Sequence, residues 1–321
     1  MKEKLILLAA LVASLLVSLV SGHINPYHLD ILLGIGINIT LAVSLNLING
    51  YTGQFSMGHA GFMAVGAYIG ASVTTFAGPT VLAWFGAAKA GVGVPLLFLV
   101  ALVLGGLGAA FAGLLVGVPS LRLKGDYLAI VTLGFGEIIR VVFQNIEAVG
   151  RSSGMKGIQT DANLFFWTYV VAALTIYTVL ALVHSTYGRG FLAVHDDEVA
   201  AAAMGINTTR YKVAAFVIGA FFAGVAGVLY AHLKSFISPS GFDFMKSFDI
   251  VVMVILGGMG NTLGVVIAAI LLTVLPEVLR PVAEYRMILY SLLIIIIMLV
   301  RPQGLFTFKW KPSRAEESPR A

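Results

Sequence analysis

The sequence predicts an all-α fold, a polytopic bundle of transmembrane helices, and three observations carry that expectation. Of 321 residues, 59% are hydrophobic and only 11% are charged, whereas globular chains run at about 45–50% apolar and about 25% charged. Mean hydropathy is +0.97. Apolar runs of helical length recur between short polar or Gly/Pro breaks along most of the chain, enough for about nine or ten membrane helices of ~20 residues each. A soluble enzyme, a disordered chain and a nucleic-acid binder are thereby excluded, despite a net charge of +5 and a pI near 9.4. The positive excess reads as the bias of cytoplasmic loops. Cysteine is absent, which removes disulfide frameworks, thiolate nucleophiles and cysteine metal sites.

Taken in order, the spans fall at 5–21, 29–48, 57–75, 94–117, 127–147, 164–183, 212–233, 248–259, 262–279 and 286–300. Lys2 and Lys4 precede the first span and place the N-terminus in the cytoplasm. The same stretch also fits a secretory signal peptide, with Ser21 and Gly22 near a cleavage point. Retention is the preferred reading, because a polytopic protein needs no removable leader. Arg122 and Lys124 then lie inside after four crossings, and Arg189, Arg210 and Lys212 after six. Arg151 and Lys156 lie outside and weaken the bias. The tail 301–321, with Arg301, Lys309, Lys311, Arg314 and Arg320, is cytoplasmic only if 248–279 crosses twice. Parity therefore favours ten crossings over nine, with both termini inside.

The run 248–259 is short for a core of about 30 Å. It ends in Gly257-Gly258-Met259-Gly260-Asn261, so it reads as a half-helix or one arm of a broken or re-entrant helix. The chain reads as a single membrane domain over 1–321, with spans over about 5–300, a cytoplasmic loop at 184–212 and the tail at 301–321. Both 29–75 and 212–279 run from span through Gly-rich break to span, the pattern of a transporter repeat. Gly105, Ala109, Gly113 and Gly117 form one small-residue stripe, and Gly219, Ala223, Gly227 and Ala231 form another. Such stripes let helices approach closely; plain packing is preferred to a pathway lining.

Polar groups within the spans are the candidates for a translocation pathway. Asn46, Asn49, Thr52, Gln54, Ser56 and His59 lie in NLINGYTGQFSMGHAG. Non-helical backbone at membrane depth is tolerated only where it is buried in protein or lines a cavity. A gate and an interfacial loop are both open readings. His59 reads as a hydrogen-bonded packing residue, since the six histidines are scattered and no HExxH motif occurs. No metal site is expected. Glu137 and Arg140 share a helix face and can pair; structural pairing is favoured over substrate contact. Asn261 ends the GGMGN break, which either exposes a helix N-terminus to an anionic or zwitterionic group or is a tight turn. Asp30, Asp249 and Glu277 sit near predicted span ends, too few buried acids for a proton-relay pump.

In the loop 184–212, Asp196, Asp197 and Glu198 precede Val199–Met204. Acids suit the positive end of a helix, the run Ala200–Ala203 has high helix propensity, and Gly205 suits a helix stop. The segment reads as a short capped surface helix that a partner can push. No lysine follows a glycine, so a phosphate-cradling P-loop is excluded. ATP-driven transport therefore needs an ATPase on another chain.

The blocks NGYTGQFSMGHAGFMAVGAY (49–68), LRLKGDYLAIVTLGFGEIIR (121–140), DDEVAAAAMGI (196–206), LGGMGN (256–261) and RPQGL (301–305) resemble, in order, the LivM-type branched-chain amino acid permeases of ATP-binding cassette importers. The resemblance implies a non-enzymatic, multi-pass inner-membrane subunit that works by alternating access. It implies as partners a homologous second permease, two ATPase subunits, a periplasmic substrate-binding protein and membrane lipid. No cofactor is expected on this chain; ATP and Mg belong to the ATPases. Asp197, Glu198, Ala200, Ala201 and Gly205 fall on the family's ATPase-docking loop. Branched-chain, hydrophobic amino acids are the first expectation for substrate. Relatives that serve urea, short amides or other amino acids keep those alternatives open, and a self-sufficient secondary transporter or channel is the runner-up. One departure is a compact connection from Ile158 to Tyr187, where some members carry an insertion.

Overall fold

The computed structural model describes residues 25–78, 90–120, 125–158, 163–280, 285–300 and 304. The predicted first span with its lysines, Arg122 and Lys124, and the tail apart from Gly304 lie outside the described residues.

The first described helix, α1 (Pro26–Asn49), starts where the Asn25 side chain accepts a hydrogen bond from Tyr27 N and proline occupies the first turn. After a non-helical break come α2 (His59–Ser72), extended by a π turn at Val73–Ala77, then α3 (Ala90–Ser120) and α4 (Asp126–Asn145). Next are α5 (Leu164–Val183), the short pair α6 (Gly188–Asp196) and α7 (Glu198–Ala203), and the long α8 (Thr208–Lys234). The last described helices are α9 (Phe244–Gly257), α10 (Thr262–Val278) and α11 (Arg286–Val300). A two-residue ribbon, β1 (Met155–Lys156) against β2 (Phe236–Ile237), is antiparallel. Six described helices are long and apolar enough to cross a membrane. The fold class is as predicted, and the helices over the nine predicted spans that fall on described residues lie within a few residues of their predicted places. The described residues do not fix the count of ten.

The centre is a close crossing of α2, α3 and α8. A methyl group on Gly66 would lie 2.1 Å from Gly224 O, one on Gly224 2.3 Å from Ala109 Cβ, and one on Gly227 2.0 Å from Met63 O. The backbones touch, so dispersion between them is available only while these positions stay small. Gly105 and Gly113 also face α8, while Gly219 faces Ser44 and Ile48 of α1. The stripes are packing stripes. Gly224 lies beside the predicted stripe rather than on it, and its neighbours on both α2 and α3 show why it is glycine.

Around this centre α1 runs antiparallel to α8. Ser44 and Ile48 meet Gly219, whereas Asp30 pairs with Lys234 near the opposite ends. Against α5, Gly36 abuts Thr168, and Tyr169 Oη donates to Leu32 O at 3.0 Å. The helices α9 and α10 form a second antiparallel pair, because Gly257 abuts Val265 and Gly264 while Lys246 and Glu277 line one cleft.

The short run proves to be a half-helix. Its 14 residues span about 21 Å at ~1.5 Å per residue, short of an apolar core of ~30 Å. Ser247, near its start, already accepts from Ala60 N at 3.1 Å. Just before it, buried Phe242 packs 6.1 Å from Tyr68 and 5.9 Å from Tyr230 between ring centroids. The chain therefore turns back into the bundle over 235–243 and starts α9 inside it. The sequence located the break after this helix, and the re-entry before it was hidden. Asp249, placed near a span end by the sequence, consequently lies in the second turn of α9.

Candidate functional site

Two polar features meet at the end of the bundle that carries α6 and α7, and a third lies apart from them on α4. The first is α7 itself. Asp197 Oδ1 accepts from Val199 N at 2.8 Å and Ala200 N at 3.0 Å, satisfying donors that the first turn leaves open. At the other end Gly205 adopts φ +84°. Gly205 N donates to Ala202 O and Ile206 N to Ala201 O, both at 3.0 Å, the paired bonds of a Schellman stop. A six-residue helix is marginal alone; local caps define it at both ends.

Its side chains divide in a way the sequence did not reveal. Ala201 is buried, while Asp197, Ala200 and Gly205 face outward. Glu198 turns inward instead and meets Lys212 Nζ at 2.7 Å, with Lys212 only 7% exposed. Glu198 is thus an anchor of the helix to α8, not part of its outer face. That face presents Val199 and Met204, 70% and 83% exposed, with Leu192 of α6 close by in sequence. The missed signal was the pair of apolar residues flanking the alanine run.

The second feature is the break between α1 and α2, a hub of buried polar groups. Asn49 bridges it, donating through Nδ2 to Ser56 O at 3.3 Å and accepting from Ser56 N at 3.1 Å. Thr132 of α4 accepts from Met57 N at 3.0 Å. Ser44 Oγ gives its proton to Leu41 O and lies 2.9 Å from His59 Nε2, so the imidazole donates through Nε2–H. His59 is thus buried within this network. The hub is also unfinished. Among the described residues, Asn46 Nδ2, both amide atoms of Gln54, Ser56 Oγ and His59 Nδ1 are buried and have no hydrogen-bond partner.

The hub joins the other features. Asn46 Oδ1 accepts from Gly260 N at 2.9 Å, and Tyr51 Oη lies 2.8 Å from Thr262 Oγ1. The two Gly-rich breaks are therefore bonded to each other. Asn261 caps α10 by accepting from Gly264 N at 3.2 Å, so the GGMGN break is a tight turn whose helix end is already capped. On its other side the hub reaches α6: a methyl on Gly53 would lie 3.2 Å from His195. A cavity of about 80 Å³ separates Gln54 from the Glu198–Lys212 pair.

The third feature is the Glu137–Arg140 pair on α4, with Arg140 Nε donating to Glu137 Oε2 at 2.7 Å. It lies just beyond the contact of Gly61 with Gly136, mid-helix and apart from α6 and α7. The side chains are 36% and 28% exposed, between exposed Ile138 and Val141. Charge facing lipid is costly, so this flank suits protein or water. Among the described residues no cluster of three or more His, Asp or Glu side chains could hold a metal ion.

The sequence matches, over residues 27–300, the family described as branched-chain amino acid transport system / permease component. It is 35% identical to the high-affinity branched-chain amino acid transport system permease protein LivM of Salmonella typhimurium, and equally to that of Escherichia coli K12, over 95% of this chain and 75% of theirs. It is 30% identical to the LivH permease protein of E. coli K12 over 51% of this chain and 53% of that one. No solved structure matches it.

Proposed function

The chain belongs to the family of permease components of branched-chain amino acid transport systems, and from that premise we propose that it moves leucine, isoleucine and valine across the inner membrane as one half of a permease pair. The other half is a homologous permease, as LivM and LivH are named components of one kind of system. Two ATPase subunits supply the energy through ATP and Mg, and a periplasmic protein delivers the substrate. Both termini face the cytoplasm, and α6–α7 lies on that side.

The observation that carries this reading is the construction of α7. It is capped at both ends, pinned to α8 by Glu198–Lys212 and topped by exposed Val199 and Met204. Such a rigid apolar knob suits an ATPase groove, where buried apolar side chains carry most binding energy. Closure of the ATPases on ATP pushes α6–α7, His195 presses on the loop at Gly53, and the loop moves the bonded α9–α10 turn. The Glu137–Arg140 flank of α4 faces the second permease and the passage between the two.

The test is reconstitution of the four-part transporter with its binding protein in liposomes. The reading expects uptake of radiolabelled leucine, isoleucine and valine that requires ATP. Uptake independent of ATP, or ATP-driven uptake of urea with none of leucine, overturns it.

A further inference from the structure

A cleft at the end of the bundle away from α6–α7 takes no part in the docking machinery. It lies between α1, α8, α9 and α10 and encloses about 140 Å³, the space of about five waters at ~30 Å³ each. One wall carries Asp30, whose two carboxylate oxygens each lie 3.1 Å from Lys234 Nζ. Another carries Glu277, which accepts from Tyr27 Oη at 2.6 Å. Asn38 donates to Thr273 Oγ1 at 2.9 Å in the same cleft. Apolar surface is supplied by Ile31, Ile37 and Leu233.

Lys246 is the group with no direct acceptor among the described residues. It stands in the first turn of α9, where a cation opposes the positive helix end. It is half-buried, and although Asp249 one turn on and Lys234 act on it through space, its ammonium makes no hydrogen bond or ion pair among the described residues. Its ammonium stands over the Tyr230 ring, 5.9 Å from Nζ to the centroid. The Asp243 side chain, which could reach it, accepts from the Lys246 backbone N at 3.0 Å instead. Asp30 is engaged by Lys234 and Glu277 by Tyr27. A partly buried cation that no acceptor contacts directly gains from an anion that does.

We propose that this cleft is a receiving subsite for a free α-amino acid in its zwitterionic form, with the α-carboxylate on Lys246, the ammonium towards Glu277 and Asp30, and an aliphatic side chain along Ile31, Ile37 and Leu233. Both ionic ends are then matched, and a charge-assisted contact of this kind is among the stronger hydrogen bonds. The re-entry at 235–243 explains how Lys246 comes to lie within the bundle. The subsite rests on the amino acid reading above, and it adds a contact made after release from the binding protein.

The experiment uses the assembled transporter in nanodiscs without the binding protein. Equilibrium binding of radiolabelled leucine is measured, with unlabelled leucine, leucinamide (no carboxylate) and 4-methylpentanoate (no ammonium) as competitors. Leucine is expected to compete at least tenfold better than either analogue. Lys246→Met is expected to weaken leucine binding at least tenfold and to erase the preference over leucinamide, while Lys246→Arg restores it. Equal competition by leucine and leucinamide on the wild type overturns the subsite, and that arm needs no variant to fold. Unchanged leucine binding in Lys246→Met also overturns it. ATP-driven leucine uptake by the complete wild-type system, measured in parallel, separates the two levels: uptake with either of those binding results sinks the subsite alone, whereas no uptake sinks the amino acid reading beneath it.

Discussion

Glu198→Gln tests how α7 is held. The substitution keeps the side-chain shape and removes the charge facing Lys212, which is 7% exposed against 27% for Glu198. Breaking a fully buried pair costs about 3–5 kcal/mol, and an exposed pair is worth about 0.2–1 kcal/mol. The intermediate burial here points to about 2 kcal/mol, lost from the docking of α7 on α8 rather than from the whole bundle. At ~1.4 kcal/mol per tenfold, the local opening equilibrium of α7 should rise about 30-fold. Hydrogen exchange reads this directly, since such opening exposes a contiguous group of amides. In the permease in nanodiscs, the amides of Ala201, Met204, Gly205 and Ile206 should exchange about 30-fold faster, with the amides of α2 and α8 near Gly66 and Gly224 unchanged. Glu198→Gln with Lys212→Met should recover most of the protection, because neither charge is left alone. Unchanged exchange in Glu198→Gln, or a double variant as open as the single one, would refute the anchor.

Other perturbations separate packing, hub and flank. Gly227→Val forces atoms against Met63 O, where even a methyl would sit at 2.0 Å; overpacking costs about 1–3 kcal/mol or more, read as a lower melting temperature of the purified permease. Tyr51→Phe removes the contact with Thr262, so about 1 kcal/mol is lost, and leucine uptake per ATP hydrolysed should fall while ATPase association persists. Arg140→Ala leaves Glu137 without its partner in mid-helix, and co-purification of the second permease should drop; the charge-swapped pair Glu137→Arg with Arg140→Glu should restore much of it.

Much of this architecture was legible in the sequence because membrane helices announce themselves by uninterrupted apolar length. The boundaries at 164–183 and 286–300 coincide with α5 and α11. Likewise the caps of α7 are local chemistry, so Asp197 and Gly205 were readable in place. Contacts between distant segments were not. Nothing near Asn46 in sequence signals that its amide will bond Gly260, and nothing near Glu198 signals that Lys212 will claim it. The re-entry at 235–243 was hidden because it is neither apolar enough to look like a span nor charged enough to look like a loop. Gly224 was overlooked because periodicity identifies a stripe, whereas the crossing of three helices selects the residue.

We propose that the outer face of α7 seats on an ATPase subunit. The chain contains no cysteine, so Met204→Cys gives a single thiol at a position 83% exposed. Maleimide labelling of that thiol, compared between the permease pair alone and the complete complex with its ATPases, measures the contact directly. The account predicts at least a tenfold slower reaction in the complete complex, with Leu107→Cys on the flank of α3 unaffected. Equal labelling of Met204→Cys in both, in a complex that still drives leucine uptake with ATP, would contradict it.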